Sequence, residues 1–266
     1  MSQTKLKTDL QHLKKPSRSK TYFTLLLFVV LMIVSAISVD FSFQKLFEGF
    51  PNMFNLVDKM SPPNWSYFSY ITEPMLETIR MAVVGATFGS ILSIPFAILS
   101  ARNVTKSKWV LLPTRFLMNI NRAFPDLLMA ALLVAVFGLG TTAGIIALSL
   151  FSLGIVSKLT YESIEAIDPG PLEAMTAVGA NKLEIIYYGV VPQIMPQYLS
   201  YCIYVFEINI RFAAILGLVG AGGIGQFYDT NLSLFNYPNV SAMIIYTLAV
   251  VLVIDFISGR LRRSLI

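Results

Sequence analysis

The chain has one cysteine, Cys202, and one histidine, His12. A single thiol forms no intrachain disulfide, and no CxxC pair exists to hold zinc. His12 lies in a charged N-terminal stretch, which argues against histidine-based catalysis and histidine-rich metal sites. Charged residues make up only 13% of the 266 positions. No GxxxxGK[ST] occurs, so a P-loop ATPase is excluded.

What the chain has is apolar length. Hydrophobic residues are 55% of the total and the mean hydropathy is +0.67. Tyr22 to Val39 and Met81 to Ala101 carry no charge. A hydrocarbon core of about 30 Å takes roughly 20 apolar residues as helix. Unpaired strand edges in hydrocarbon cost several kcal/mol per group, so the spans are helices. The runs predict an all-α polytopic bundle of six spans, near 22–39, 76–100, 112–137, 142–160, 197–219 and 240–259. The first apolar run is longer than a signal-peptide core and reads as an uncleaved span. Gly138 to Gly144 supply a tight turn that makes the third and fourth spans a hairpin.

The net charge of +5 is placed beside the spans, which argues for a membrane surface and against nucleic acid. With the N-terminus inside, the inner segments carry fifteen lysines and arginines, and the outer ones only Lys45 and Lys59. Six spans then leave both termini inside, in agreement with the positive-inside rule. The basic N-terminal stretch is expected to be mobile or to lie at the lipid surface. In the first outer loop Leu46, Phe50, Phe54 and Val57 recur at helical spacing, which predicts an interfacial helix. Trp65, Tyr67 and Tyr70 follow as an aromatic belt. Lipid anchoring and partner binding both fit that helix.

The stretch from Tyr161 to Pro196 is the most informative. Asp168-Pro169-Gly170-Pro171 breaks the chain and starts a helix. Glu173 falls in its first turn, where a carboxylate opposes the positive end of the dipole. Ala174 and Ala177 form a small-residue face, and Gly179 ends or bends the helix. Asn181 to Tyr188 predicts a second short helix. Pro192 and Pro196 are expected to keep it from running straight into the fifth span. A short helix with a small-residue face, in an elbow at the inner surface, suits a groove on a partner.

Glu173-Ala174-Met175-Thr176-Ala177-Val178-Gly179, with Pro192 thirteen positions on, resembles the cytoplasmic EAA loop of ABC importer permeases. Met175 replaces the usual second alanine and is expected to alter the fit to the ATPase. Arg122-Ala123-Phe124-Pro125-Asp126 resembles the family's Arg-x-x-Pro-Glu, with Asp for Glu. Glu207-Ile208-Asn209-Ile210-Arg211 and the later Gly220-Ala221-Gly222-Gly223-Ile224-Gly225 resemble the phosphonate-type permeases. The resemblance spans about residues 70–263. It implies a MetI-like, type I importer transmembrane domain, N-in and C-in. The parts would be a basic tail (1–21), a first transmembrane helix (22–39), an external loop (40–72) and a permease core (73–263) with a coupling loop (161–196). The implied partners are a second copy, two ATPase subunits on the cytoplasmic side, an external substrate-binding protein and membrane lipid. ATP and magnesium would act on the ATPase, and this chain would bind no cofactor or metal. The cargo would be a phosphonate or a related oxyanion, with phosphite, phosphate, methionine or another small solute as alternatives.

Charges inside a bilayer need a reason. Arg122 and Asp126 are four apart on the expected third span, and Glu207 and Arg211 four apart on the fifth, so each pair can bridge along its own helix. They either fix packing or, with Asn209, line an aqueous path for an anion, whose oxygens the planar guanidinium fork suits. Gly220-x-Gly222-x-x-Gly225 matches a dinucleotide fingerprint in form, but it follows an apolar helix rather than a strand. With Gly223 it reads as a tight re-entry or turn near the external mouth of the path, a gate candidate. Gly85-x-x-x-Gly89 lets helices approach closely, within one chain or between two.

Two other classes compete. A membrane-embedded enzyme would need a catalytic cluster at one interface, and a secondary transporter would show inverted halves; the sequence displays neither. Replacing Gly179 with a bulky residue separates the classes. A permease loses the coupling of transport to ATP hydrolysis, whereas an enzyme or secondary transporter keeps its activity.

Overall fold

The computed structural model describes residues 18–265. Of the expected basic tail (1–21), residues 1–17 with His12 lie outside the described residues, whereas 18–21 already belong to the first helix. Among the described residues every regular element is a helix. The chain divides into two units, residues 1–58 and 59–266.

The first unit holds α1 (Arg18–Ser38) and α2 (Phe43–Lys59). At 1.5 Å per residue, the 21 residues of α1 match the hydrocarbon thickness. In α2, Phe43, Phe47, Phe50, Phe54 and Val57 recur every three or four residues and share one face. Lys45, Glu48, Asn52 and Lys59 take the opposite face. That division is the pattern of a helix lying in the interface plane.

The second unit holds α3 (Phe68–Ser100), α4 (Lys108–Ala123), α5 (Asp126–Phe137), α6 (Thr141–Glu165), α7 (Gly170–Ala177), α8 (Lys182–Glu184), α9 (Val191–Leu216), α10 (Ile224–Ser233) and α11 (Tyr237–Leu265). Its axis is the seam between α3 and α6. A Cβ added at Gly85 would strike Leu148, and one at Gly89 would strike the Ser149 carbonyl and Ser152. The glycine pair thus packs within the chain, which decides a point the sequence left open. In lipid no hydrophobic effect drives helices together, so backbone-to-backbone closeness matters more than in water. Across the seam lies α9. Tyr198 donates to the Ser90 carbonyl at 2.8 Å, and Asn209 Nδ2 donates to Ser152 Oγ at 2.8 Å.

Helices α1, α3 with its leading turn, α6, α8–α9 and α11 are each long and apolar enough to cross a membrane. Six spans result only if α4 and α5 count as one, and they are bent by 90°. The expected continuous span over 112–137 is therefore broken. Pro125 has no N–H and pushes Phe124 into an extended conformation (φ −72°, ψ 131°). Alone, the 12 residues of α5 reach only about 18 Å.

The expected break at Pro192 and Pro196 is absent. A helical path runs from Lys182 to Val219. A π-turn over Ile185–Val190 makes this possible. Val191 N–H donates to the Ile186 carbonyl, five residues back. The wider turn removes the clash that a proline makes with the carbonyl four residues before it.

Gly89→Leu should disrupt the α3–α6 seam and lower the thermal unfolding temperature in detergent, with an overpacking cost of about 1–3 kcal/mol. Gly49→Ala in α2, where nothing lies within 4 Å of the added carbon, should leave it unchanged or raise it.

Candidate functional site

Two regions gather the predicted site residues. The first is the elbow between α6 and α9. Pro171 sits in the first turn of α7, and Glu173 faces its N-terminal dipole. Gly179 closes the helix at φ 82°. Its N–H donates to the Thr176 carbonyl at 3.1 Å, and Ala180 N–H to the Met175 carbonyl at 3.0 Å, a Schellman closure. Asn181 then starts α8 with a reciprocal capping box to Glu184. Glu173, Ala174, Ala177 and Gly179 all face outward. Leu172 and Met175 point the other way, against Gly189 of the π-turn. Met175, expected to alter the fit to a partner, instead packs beneath the helix. Pro192 lies in the first turn of α9 and is itself exposed.

The base of this elbow is bolted down. Arg115 on α4 donates to the Ser100 carbonyl from Nε at 2.8 Å and Nη2 at 2.6 Å. Nη2 also meets Glu165 at the end of α6, at 2.5 Å. Glu165 accepts the Arg102 N–H at 2.8 Å as well. The guanidinium stands 4.8 Å from the centre of the Tyr161 ring. The ends of α3 and α6 and the flank of α4 are thereby one body.

The second region is the seam between α9 and α11. Glu207, with only 11% of its side chain exposed, meets Arg211 at 3.3 Å and Arg262 at 2.9 Å. Arg211 also donates to both oxygens of Asp255, at 3.1 and 2.9 Å. The expected Glu207–Arg211 bridge is thus half of a quartet. Asp255 and Arg262 were missed by the sequence reading, because they lie 44 and 55 positions from their partners. The signal for Asp255 was available: it is the only charge between 240 and 259.

Other expected placements change. Asn209 is fully buried and turned toward α6, so it does not share a surface with Arg211. Arg122 and Asp126 do not bridge along one helix, because the Phe124–Pro125 break falls between them. Arg122 is exposed at the end of α4, its stem against Gly154, and has no carboxylate partner among the described residues. Asp126 opens α5, near Asn121 and Phe151. The turn from Gly220 to Gly225 is largely buried within the second unit. Ala221 to Gly225 are all buried. Gly220, Gly222 and Gly223 take φ of 85°, 87° and 70°. The Gly220 carbonyl accepts from Gly140 N–H at 2.9 Å, and Thr78 Oγ1 accepts from Ile224 N–H at 2.8 Å. A Cβ at Gly225 would strike Gly217 and the Ala214 carbonyl.

A short exposed helix at the elbow of a bundle of membrane-length helices, with ion pairs between those helices, suits a transport channel. Residues 93–266 match the model of the binding-protein-dependent transport system inner membrane component. The chain belongs to this family. It is the multi-pass inner-membrane permease subunit of an ABC importer, and the ATPase site lies on a separate subunit. Family members work with ATPase and substrate-binding partners. Among relatives, the putative phosphite transport system permease protein HtxC of Stutzerimonas stutzeri is 34% identical over 92% of this chain and 87% of its own length. The putative cryptic phosphonate transport system permease protein PhnE2 of Escherichia coli K12 is 46% identical over 46% of this chain and 99% of its own. The inward-facing MetNI methionine ABC transporter has a chain of the same fold, with a TM-score of 0.64 and 21% identity over 74% of this chain and 96% of that one.

In the quartet, Glu207→Gln leaves Arg262 with no carboxylate, and Arg211 with Asp255 alone. Asp255→Asn leaves both arginines one partner each. The first variant should lose more thermal stability, about 1–3 kcal/mol, because the stranded Arg262 is about a third exposed and water screens part of its charge. Equal losses would show that Glu207 is not the hub.

Proposed function

We propose that this permease carries phosphorus oxyanions, phosphonates or phosphite, inward across the membrane. The observation that carries the cargo reading is the naming of its relatives for phosphite and phosphonate transport. The charge geometry supports it. Arg211 is saturated by two carboxylates. Arg122 stands exposed at a helix break with no counter-charge, so it is the arginine free to meet a passing oxyanion through its planar fork. Asp126 on the far side of the break keeps that contact weak by repelling an anion. Glu207 and Arg211 hold α9 to α11 instead of touching cargo.

The permease acts as one of two copies around a two-fold axis. The outward face of α7, Glu173 to Gly179, seats on an ATPase subunit, and ATP with magnesium works there. Because Arg115 and Glu165 join the base of α7 to α3, α4 and α6, a push on α7 moves a block rather than a loop. The unbroken path through Pro192 passes the same push into α9. The Gly220–Gly225 turn, wedged between α3 and α6, closes the outer end, where a loaded binding protein docks. Conformational switching then requires only that each partner favour one state over the other.

Cells carrying the permease with its ATPase and binding protein should take up labelled methylphosphonate in an ATP-dependent manner. Other phosphonates should compete. Competition by phosphate or methionine alone would move the cargo and leave the importer class. Arg122→Gln should cut uptake about tenfold or more, the loss of roughly 1.4 kcal/mol, and Arg122→Lys should restore part of it. Undiminished uptake in Arg122→Gln would remove this residue from the path.

A further inference from the structure

The last turns of α11 hold more positive charge than the structure neutralises. Arg260, Arg262 and Arg263 fall within four positions. Arg262 has one carboxylate partner, Glu207. Arg260 and Arg263 are exposed, and neither has an ion-pair partner among the described residues. In the α9–α11 seam the carboxylates of Glu207 and Asp255 are taken up by Arg211 and Arg262.

Beside them opens a groove of about 560 Å³, lined by Ser200, Gly259, Arg262 and Arg263. Gly259 keeps it open: nothing lies within 4 Å of the place a Cβ would take. Ser200 is largely buried on α9 and lines the groove. Arg262 is held in place on two sides, by Glu207 and by the Tyr204 ring 5.7 Å from its guanidinium carbon. Its Nε–H is buried and has no acceptor. A buried donor without an acceptor costs free energy that a ligand oxygen recovers.

Donors outnumber acceptors here, and they come from a fixed guanidinium, a second arginine and a hydroxyl. A tetrahedral phosphate has only acceptor oxygens and takes several such donors at once. The groove lies at the basic end of a membrane-crossing helix, the level at which basic clusters meet anionic headgroups. We infer that this groove binds a phosphate-bearing group, with Arg262, Arg263 and Ser200 as donors. The group is either the headgroup of an anionic phospholipid or free phosphate. The inference does not depend on which cargo the permease carries.

The test uses the full chain, purified with its ATPase in neutral detergent, and reads the unfolding temperature as phosphatidylglycerol, phosphatidylcholine or inorganic phosphate is added. A ligand that binds only the native state raises that temperature. Phosphatidylglycerol or inorganic phosphate should raise it by several degrees beyond phosphatidylcholine. A response to the lipid alone assigns the headgroup as the source, and a response to inorganic phosphate assigns the free ion. Arg263→Gln, an exposed site with no partner to disturb, should lose the extra shift, and Ser200→Ala should reduce it. Arg260→Gln removes the same charge from a residue that does not line the groove, and it should keep the shift. The inference is overturned if neither probe exceeds phosphatidylcholine. It is equally overturned if Arg263→Gln keeps the full shift, or if Arg260→Gln loses as much as Arg263→Gln.

Discussion

The close approach of α3 and α6 is the contact on which the other elements depend. Gly85 and Gly89 have no side chains, so the Ser149 carbonyl and Leu148 lie directly against the α3 backbone. Once these helices are joined, their two ends become platforms. At one end Thr78 and Gly144 receive the buried turn that contains Gly220 to Gly225. At the other, Ser100 and Glu165 come near enough for Arg115 to hold both. The seam therefore links the outer turn to the elbow through two helices that cannot slide without a steric clash. In lipid, where apolar surface gains nothing by leaving the solvent, such packing is what keeps helices in register.

Charge in this chain does two different jobs. Glu207, Arg211, Asp255 and Arg262 neutralise one another across α9 and α11. A set of that kind gains little stability over apolar packing, but it specifies one register, because losing Glu207 strands Arg262 and losing Arg211 strands Asp255. Arg122 has no such partner. Its position follows from Pro125, which ends α4 and leaves the side chain at the mouth of a 90° break. Irregular backbone at membrane depth is tolerated where it is covered by protein or lines a wet cavity. The buried glycine turn is covered by protein in this way; the exposed Arg122 at the other break suits a wet cavity.

The elbow explains how a departure from the family motif is tolerated. A methionine in place of alanine on the outer face of α7 would change the contact with a partner. Met175 instead points inward, where its sulfur fills the space above Gly189. The small residues Ala174 and Ala177 remain outside. The outer face is thus kept smooth while its support is adapted.

Much of this was legible in the chain alone. The apolar runs determined five of the six expected spans, because a span must reach about 30 Å and satisfy its own backbone. Pro171, Glu173 and Gly179 determined the elbow helix, since caps and dipoles act within a few residues. The Lys and Arg positions gave the expected orientation. The tertiary structure decided what depends on two distant segments meeting. It joined Asp255 and Arg262 to the pair on α9, turned Asn209 inward, and placed Gly85 and Gly89 within one chain. It also decided the prolines, whose effect depends on where the displaced hydrogen bond goes. At Pro125 the chain bends, whereas at Pro192 a π-turn carries the helix through. Local periodicity determines which residues are helical, but which faces touch is set by the register between helices, and that is a property of the packed bundle.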